Sequence, residues 1–170
     1  MLDNIHVELF AASALTLPSG SWNTQNVRSS FWRLYANHDD GACVMLGSGP
    51  YPLYAGHLYF IPAGVPFSCG NMADIRHFYA HFGVLGISGI IMREVFGRPI
   101  CLGADTRWSS EIDALSGGLK PSGAFDLVLQ CRVKALIYAA LTAHLIGLPP
   151  ALLARCGTLT EALAPSAARN

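Results

Sequence analysis

Charge is scarce in this chain. Only 13% of its 170 residues are Asp, Glu, Lys or Arg, and the 11 basic and 11 acidic side chains cancel. Phosphate neutralisation needs a basic excess on one face, so the balance argues against nucleic-acid binding by these residues alone. Disorder is excluded too, because 52% of the residues are hydrophobic and no charge imbalance holds the chain open. Paired cysteine spacings are also missing. Cys43, Cys69, Cys101, Cys131 and Cys156 are odd in number, widely separated and never in a C-x-x-C pair. That pattern fits neither a disulfide framework nor a structural zinc site, and it fits reduced thiols in a cytoplasmic protein. The start, Met1 to Glu8, carries acid where a secretion signal carries Lys or Arg, and no long apolar core follows. The charge-free stretch Ala135 to Ala154 contains His144, Gly147 and Pro149-Pro150, which stop a helix short of the roughly 20 residues a bilayer span needs. A cytoplasmic protein with no membrane partner is expected.

What is present changes period midway. Val7 to Phe10, Phe31 to Tyr35, Cys43 to Leu46, Leu58 to Ile61 and Ile75 to Phe82 are short apolar or aromatic runs. Turn clusters separate them: Pro18-Ser19-Gly20, Asn37 to Gly41, Gly47 to Pro50, Pro62-Ala63-Gly64 and Gly70-Asn71. Strands at this spacing, without helical patterns between them, predict an antiparallel sandwich or barrel. Later, Trp108, Ile112, Leu115 and Leu119 recur at helical steps, with Asp105 or Thr106 as cap and Gly117-Gly118 as stop. A longer helix is expected from about Phe125 to Ile146, apolar nearly all round beyond Lys134 and so covered on more than one side. Thr158 to Leu163 reads as a last short helical turn and Pro165 to Asn170 as a frayed tail. The run from Gly83 to Gly103 is broken by Gly86 and Gly89, and reads as a returning strand or a packed crossover. The expected organisation is a barrel over 1–104, a helical segment over 105–164 and a tail over 165–170.

Gly56-His-Leu-Tyr-Phe-Ile-Pro62-Ala-Gly64-Val-Pro-Phe67 fits the pattern G-x5-P-x-G-x2-H except at its last position. A turn glycine, a buried strand and a Pro-x-Gly turn would send the next strand back across a barrel. This spacing resembles the second motif of the cupin superfamily, a small jelly-roll barrel. In metal-binding cupins the closing histidine is a ligand; here Phe67 stands there and cannot bind a metal. His38-Asp39-Asp40 is the candidate for the first cupin motif and lacks its second histidine and its glutamate. No metal and no cofactor are therefore expected. The rival reading, a stand-alone cupin enzyme such as a metal-dependent sugar isomerase or dioxygenase, loses its site. Nucleophilic catalysis finds no G-x-S-x-G elbow, and Cys69 has no evident base.

With the flanks added, Arg33-Leu-Tyr, His38, the Gly56 to Phe67 motif and Arg76-His-Phe-Tyr-Ala-His81-Phe82 follow in one order. That order resembles the amino-terminal sensing and dimerisation domain of AraC-type transcriptional regulators. The resemblance covers roughly residues 27 to 156. It implies a mainly β fold, a cupin jelly-roll barrel followed by a helical pair. It also implies a small-molecule effector, sugar-like as the family-weighted guess, and a homodimer. DNA would be met only through two helix-turn-helix units that nothing after Ala164 supplies. The chain is accordingly read as a sensor segment of a longer regulator, and not as an enzyme.

Candidate site residues follow from alternation along strands. His77, Tyr79 and His81 share one face of their strand and present polar tips on aromatic bodies, which suits a lumen holding a small polar ligand. The resemblance places ligand contacts at His77 and Tyr79. A polar rim is the alternative. His77 and His81 lie about 13 Å apart on a strand, so one metal cannot bridge them. Arg33, beside Tyr35 and alternating with Trp32 and Leu34, would clamp an anionic or hydroxyl-rich ligand or point at solvent, the latter being the simpler reading. Of Trp22 and Trp32, which could stack on a sugar, Trp32 is kept as a candidate. On the long helix, Leu129, Leu136, Ala140 and Leu141 are expected to pack inward, and Val133, Ile137 and Leu145 to face a partner across a two-fold axis.

Overall fold

A computed structural model describes residues 5–119 and 126–154. Within these residues nine strands form two antiparallel sheets. The elements, in chain order, are β1 (His6–Leu17), β2 (Thr24–Val27), β3 (Trp32–Asn37), β4 (Ala42–Leu46), β5 (Gly49–Leu53), β6 (His57–Ile61), β7 (Phe67–Asn71), β8 (Ile75–Leu85), α1 (Gly89–Phe96), β9 (Ile100–Ala104), α2 (Thr106–Ser116) and α3 (Leu127–Ile146). The first sheet has the order β1-β8-β3-β6-β9 and the second β2-β7-β4-β5. Apart from β4–β5 and β8–β9, successive strands pass from one sheet to the other, the crossing pattern of a jelly roll. The fold is mainly β with carboxy-terminal helices, as the strand spacing predicts.

The first sheet separates two cores. Trp32, Leu34, Phe60, Phe78 and Phe82 point outward, where they meet Phe96 of α1, Trp108 and Ile112 of α2 and Val133 and Ile137 of α3. Tyr35, Tyr59, Ile61 and Ile75 point inward, toward Val44, Phe67 and Cys69 of the second sheet. Every residue of β3 is buried, because this strand is covered on both faces. The helices therefore share one core with the barrel wall.

Several expectations change. β1 and β8 are longer than their apolar runs. β2, β5 and β7 were not expected: β5 begins in the Gly47 to Pro50 turn cluster, and β7 contains Gly70-Asn71. β5 tolerates Pro50 and Pro52 because it is the edge strand of its sheet. The 83–103 stretch holds the end of β8, a helix and β9. Ser88 caps α1 by accepting from the Ile91 amide, so Gly89 opens that helix instead of breaking a strand. Asp105 caps α2 as foreseen. Asp126, expected inside the long helix, caps α3 by accepting from the Leu129 amide at 2.8 Å. Phe125, Cys156, the turn expected over Thr158 to Leu163 and the tail Pro165 to Asn170 lie outside the described residues.

Candidate ligand site in the barrel lumen

Three neighbouring strands build the site wall. In the β3–β8 register Arg33 stands opposite His81, Tyr35 opposite Tyr79 and Asn37 opposite His77. In the β1–β8 register Ala11 stands opposite His81, Ser13 opposite Tyr79 and Leu15 opposite His77. Directly opposed residues share a face, so each rung of this ladder presents side chains to the lumen. The second sheet supplies Thr24, Val27, Phe67 and Cys69, and the β1–β2 connection supplies Trp22; with Leu15 and Leu17 they line a cavity of about 250 Å³. Among the described residues no Asp or Glu lines it.

His77 is buried and fixed in one tautomer. The Asn37 amide nitrogen donates to the Leu53 carbonyl at 3.3 Å, which leaves the amide oxygen to accept from His77 Nδ1 at 2.7 Å. His77 Nε2 then carries the lone pair. Burial, with the nearby His81, brings the His77 imidazole down to about 3. Burial, with Arg33, brings His81 down to about 4. Both rings are therefore neutral near pH 7. Burial also pushes the Tyr35 phenol well above its usual range.

Arg33 corrects the solvent-facing reading. It is 7% exposed and lines the cavity. Its guanidinium lies 4.5 Å from the Phe31 ring centroid and 5.0 Å from that of Phe67, and its Nη2 donates to Ser29 Oγ at 2.7 Å. Phe67 thus gives the arginine an aromatic face where metal-binding cupins place an imidazole. Among the described residues no cluster of three or more His, Cys, Asp or Glu is arranged to hold a metal ion. Gly56 and Gly64, both at positive φ, make the turns the motif calls for.

Trp32 is a second correction. It faces away from the lumen, packed against Phe60, Phe82 and Phe96 at 4.9–6.0 Å between ring centroids. The tryptophan in the cavity is Trp22, with its ring 5.3 Å from Tyr35 and 4.7 Å from His77. Asn71 locks the connection that carries it, donating to the carbonyls of Leu17, Pro18 and Ala73 and accepting from the Trp22 amide at 2.9 Å. No strand or helix period marks Trp22, so alternation could not find it. Thr24 Oγ1 lies 2.6 Å from Cys69 Sγ, and burial raises that thiol, which makes Cys69 a wall group and not a nucleophile. Ser13 Oγ is buried without a hydrogen-bond partner among the described residues.

The expected dimer residues also move. Val133 and Ile137 are fully buried against the barrel, beside Leu136, Ala140 and Leu141, and Leu145 packs partly on the same core. A helix whose inward stripe is this wide leaves no room for Val133 or Ile137 to meet a partner. The outward face instead carries Val128, Cys131, Ala135, Tyr138, Thr142 and Ile146, with Val128 67% and Ile146 77% exposed. No helix among the described residues is long and apolar enough to cross a membrane.

The crossing strands define a jelly-roll barrel with an aromatic-lined lumen, carrying a helical layer on one sheet. The same architecture occurs in ToxT from Vibrio cholerae strain SCE256, solved with an unsaturated fatty acid bound: TM-score 0.50 at 8% identity, over 82% of this chain and 54% of ToxT. This chain spans about half the length of that protein. A cupin domain from Bordetella pertussis Tohama I matches at 20% identity with a TM-score of 0.35, over 50% of this chain and 88% of its own. The Cnp3 cupin domain of Schizosaccharomyces pombe matches at 12% identity with a TM-score of 0.37, over 57% and 77% of the two chains. No family model and no curated protein sequence matches the chain.

Proposed function

We propose that this chain is the ligand-sensing and dimerising part of an AraC-type transcriptional regulator, which binds a small molecule in the barrel lumen. One observation carries the reading: a cavity of about 250 Å³ between the two sheets, lined by polar groups of one continuous ladder, among them the buried Arg33, Tyr35 and His77. The sequence order that resembles AraC-type sensing domains supports it, as does the architecture shared with ToxT, a regulator of that family. DNA contact belongs to helix-turn-helix units outside these residues.

β1 is the relay this reading requires. Its later half lines the cavity through Leu15 and Leu17, and its start is held by α3. The Val7 amide donates to the Tyr138 hydroxyl at 3.0 Å, and that hydroxyl donates to the Ile5 carbonyl at 3.4 Å. A ligand that favours one placement of β1 shifts α3 with it, at a coupling of about 1–3 kcal/mol for a typical regulator. Dimerisation uses the outward face of α3, where Val128, Cys131, Ala135, Thr142 and Ile146 recur at steps of three, four and seven. A charge-poor helical seam of this kind suits an isologous two-fold contact.

The test starts from a thermal-shift screen of small metabolites, with calorimetry on the hits. Tyr79→Ala and His77→Ala should weaken binding of a hit at least tenfold while the circular dichroism of the barrel persists. Unchanged affinity in both variants would remove the lumen from the function.

A further inference from the structure

We propose that the lumen takes a small planar organic anion, an aromatic carboxylate with one ring, anchored by Arg33. The inference rests on the receptor reading above and goes on to name the class of its ligand. Its starting point is an electrostatic imbalance. Arg33 is 7% exposed, yet among the described residues no acidic side chain lines the cavity and no carboxylate lies within ion-pair distance of it. A guanidinium has five N–H donors and stays protonated. Its partners on the protein are all neutral: the Ser29 hydroxyl, the Tyr35 phenol and two phenyl rings. Buried charges in proteins are ordinarily paired. Here the missing anion has a place to sit, because Arg33 borders empty space. A carboxylate matches the planar fork of the guanidinium in two parallel hydrogen bonds.

The rest of the wall selects the body of the ligand. Trp22, Tyr35, Phe67 and Tyr79 supply aromatic faces around the cavity. A volume near 250 Å³ falls just below the range of about 300–1,000 Å³ that holds drug-sized molecules. One ring with a short substituent fits that space. A sugar fits the chemistry poorly. Its many hydroxyl protons need acceptors, and the wall has no carboxylate or amide group to offer. His77 Nδ1 is already committed to Asn37, which leaves ring nitrogens and a few hydroxyls for that task.

The experiment is calorimetric titration and thermal shift of the full chain with benzoate and cinnamate, against neutral benzamide, benzyl alcohol and a pentose. Benzoate or cinnamate should bind at least tenfold more tightly than their neutral counterparts. Arg33→Met should abolish that preference. Because it removes an uncompensated buried charge, the same variant should melt no lower than the parent in the absence of ligand, so a loss of binding is not a loss of fold. Arg33→Lys, which keeps the charge but not the fork, should retain part of the preference. A pentose or other neutral compound that binds through Tyr79 while both acids fail overturns the anion assignment and leaves the receptor reading standing. Acid binding that survives Arg33→Met overturns the assignment as well. Failure of every compound, in a protein whose Tyr79→Ala variant also shows no changed response in the wider screen, overturns both readings.

Discussion

Two imidazoles kept neutral inside the barrel give the molecule a measurable dependence on acid. His77 and His81 sit at about 3 and about 4 when folded, against about 6.5 in the unfolded chain. The unfolded state therefore binds more protons between these values, and stability falls as pH drops from 6.5 toward 4. His77, the more buried of the two, sets a slope approaching roughly 1.4 kcal/mol per pH unit in that window. Urea titrations at pH 7.0, 5.5 and 4.5 should show the fall, and His77→Gln should flatten it; an unchanged slope in that variant would contradict the buried neutral ring. Other residues show where alternation along a strand stops being informative. It correctly groups His77 with Tyr79 and His81, and Arg33 with Tyr35. It does not say which face is the lumen, because β3 is buried on both sides and its pattern carries no exposed position to orient it. Alternation accordingly puts Trp32 in the wrong environment and leaves Arg33 undecided between ligand and solvent, as is natural for a strand taken to have one wet face.

Elements that announce themselves by apolar runs were legible, and those held by tertiary context were not. β5 carries two prolines and β7 carries Gly70-Asn71, so both look like turns by local chemistry. Pairing with β4 overrides that preference in each case. The same Asn71 that disguises β7 ties down the β1–β2 connection through three hydrogen bonds, and a fourth reaches Ala73 in the β7–β8 turn. Asn71→Ala should cost about 2–4 kcal/mol, since it strips partners from several backbone groups at a buried position. Trp22 would lose its anchor, so ligand affinity should fall more than Tyr79→Phe makes it fall; calorimetry on the two variants checks the order. A second test concerns the hook between sheet and helix. Tyr138→Phe removes the acceptor of the Val7 amide and should speed hydrogen exchange at Val7, while leaving protection in the middle of β8 unchanged.

At the scale of the whole molecule, the helical layer decides what the outside can do. Its period was plain, but which stripe faced inward was not, because α3 is apolar nearly all round and α1, which helps to cover it, was hidden in a glycine-broken run. With Val133 and Ile137 committed to the barrel, the outward stripe is the face left for the dimer contact proposed above. Ala135→Glu, together with Ile146→Lys, should convert a dimer to a monomer in sedimentation equilibrium without lowering the helix signal. A dimer that persists would move the contact elsewhere. The phenol that clasps the first strand lies beside this seam, at the start of the same strand that reaches the lumen. Thermodynamic reciprocity then links two quantities usually measured apart: whatever filling the barrel does to self-association, self-association does to filling, by the same factor. The apparent dissociation constant of an effector should consequently drift with protein concentration, so dilution alone would act as an antagonist or an agonist.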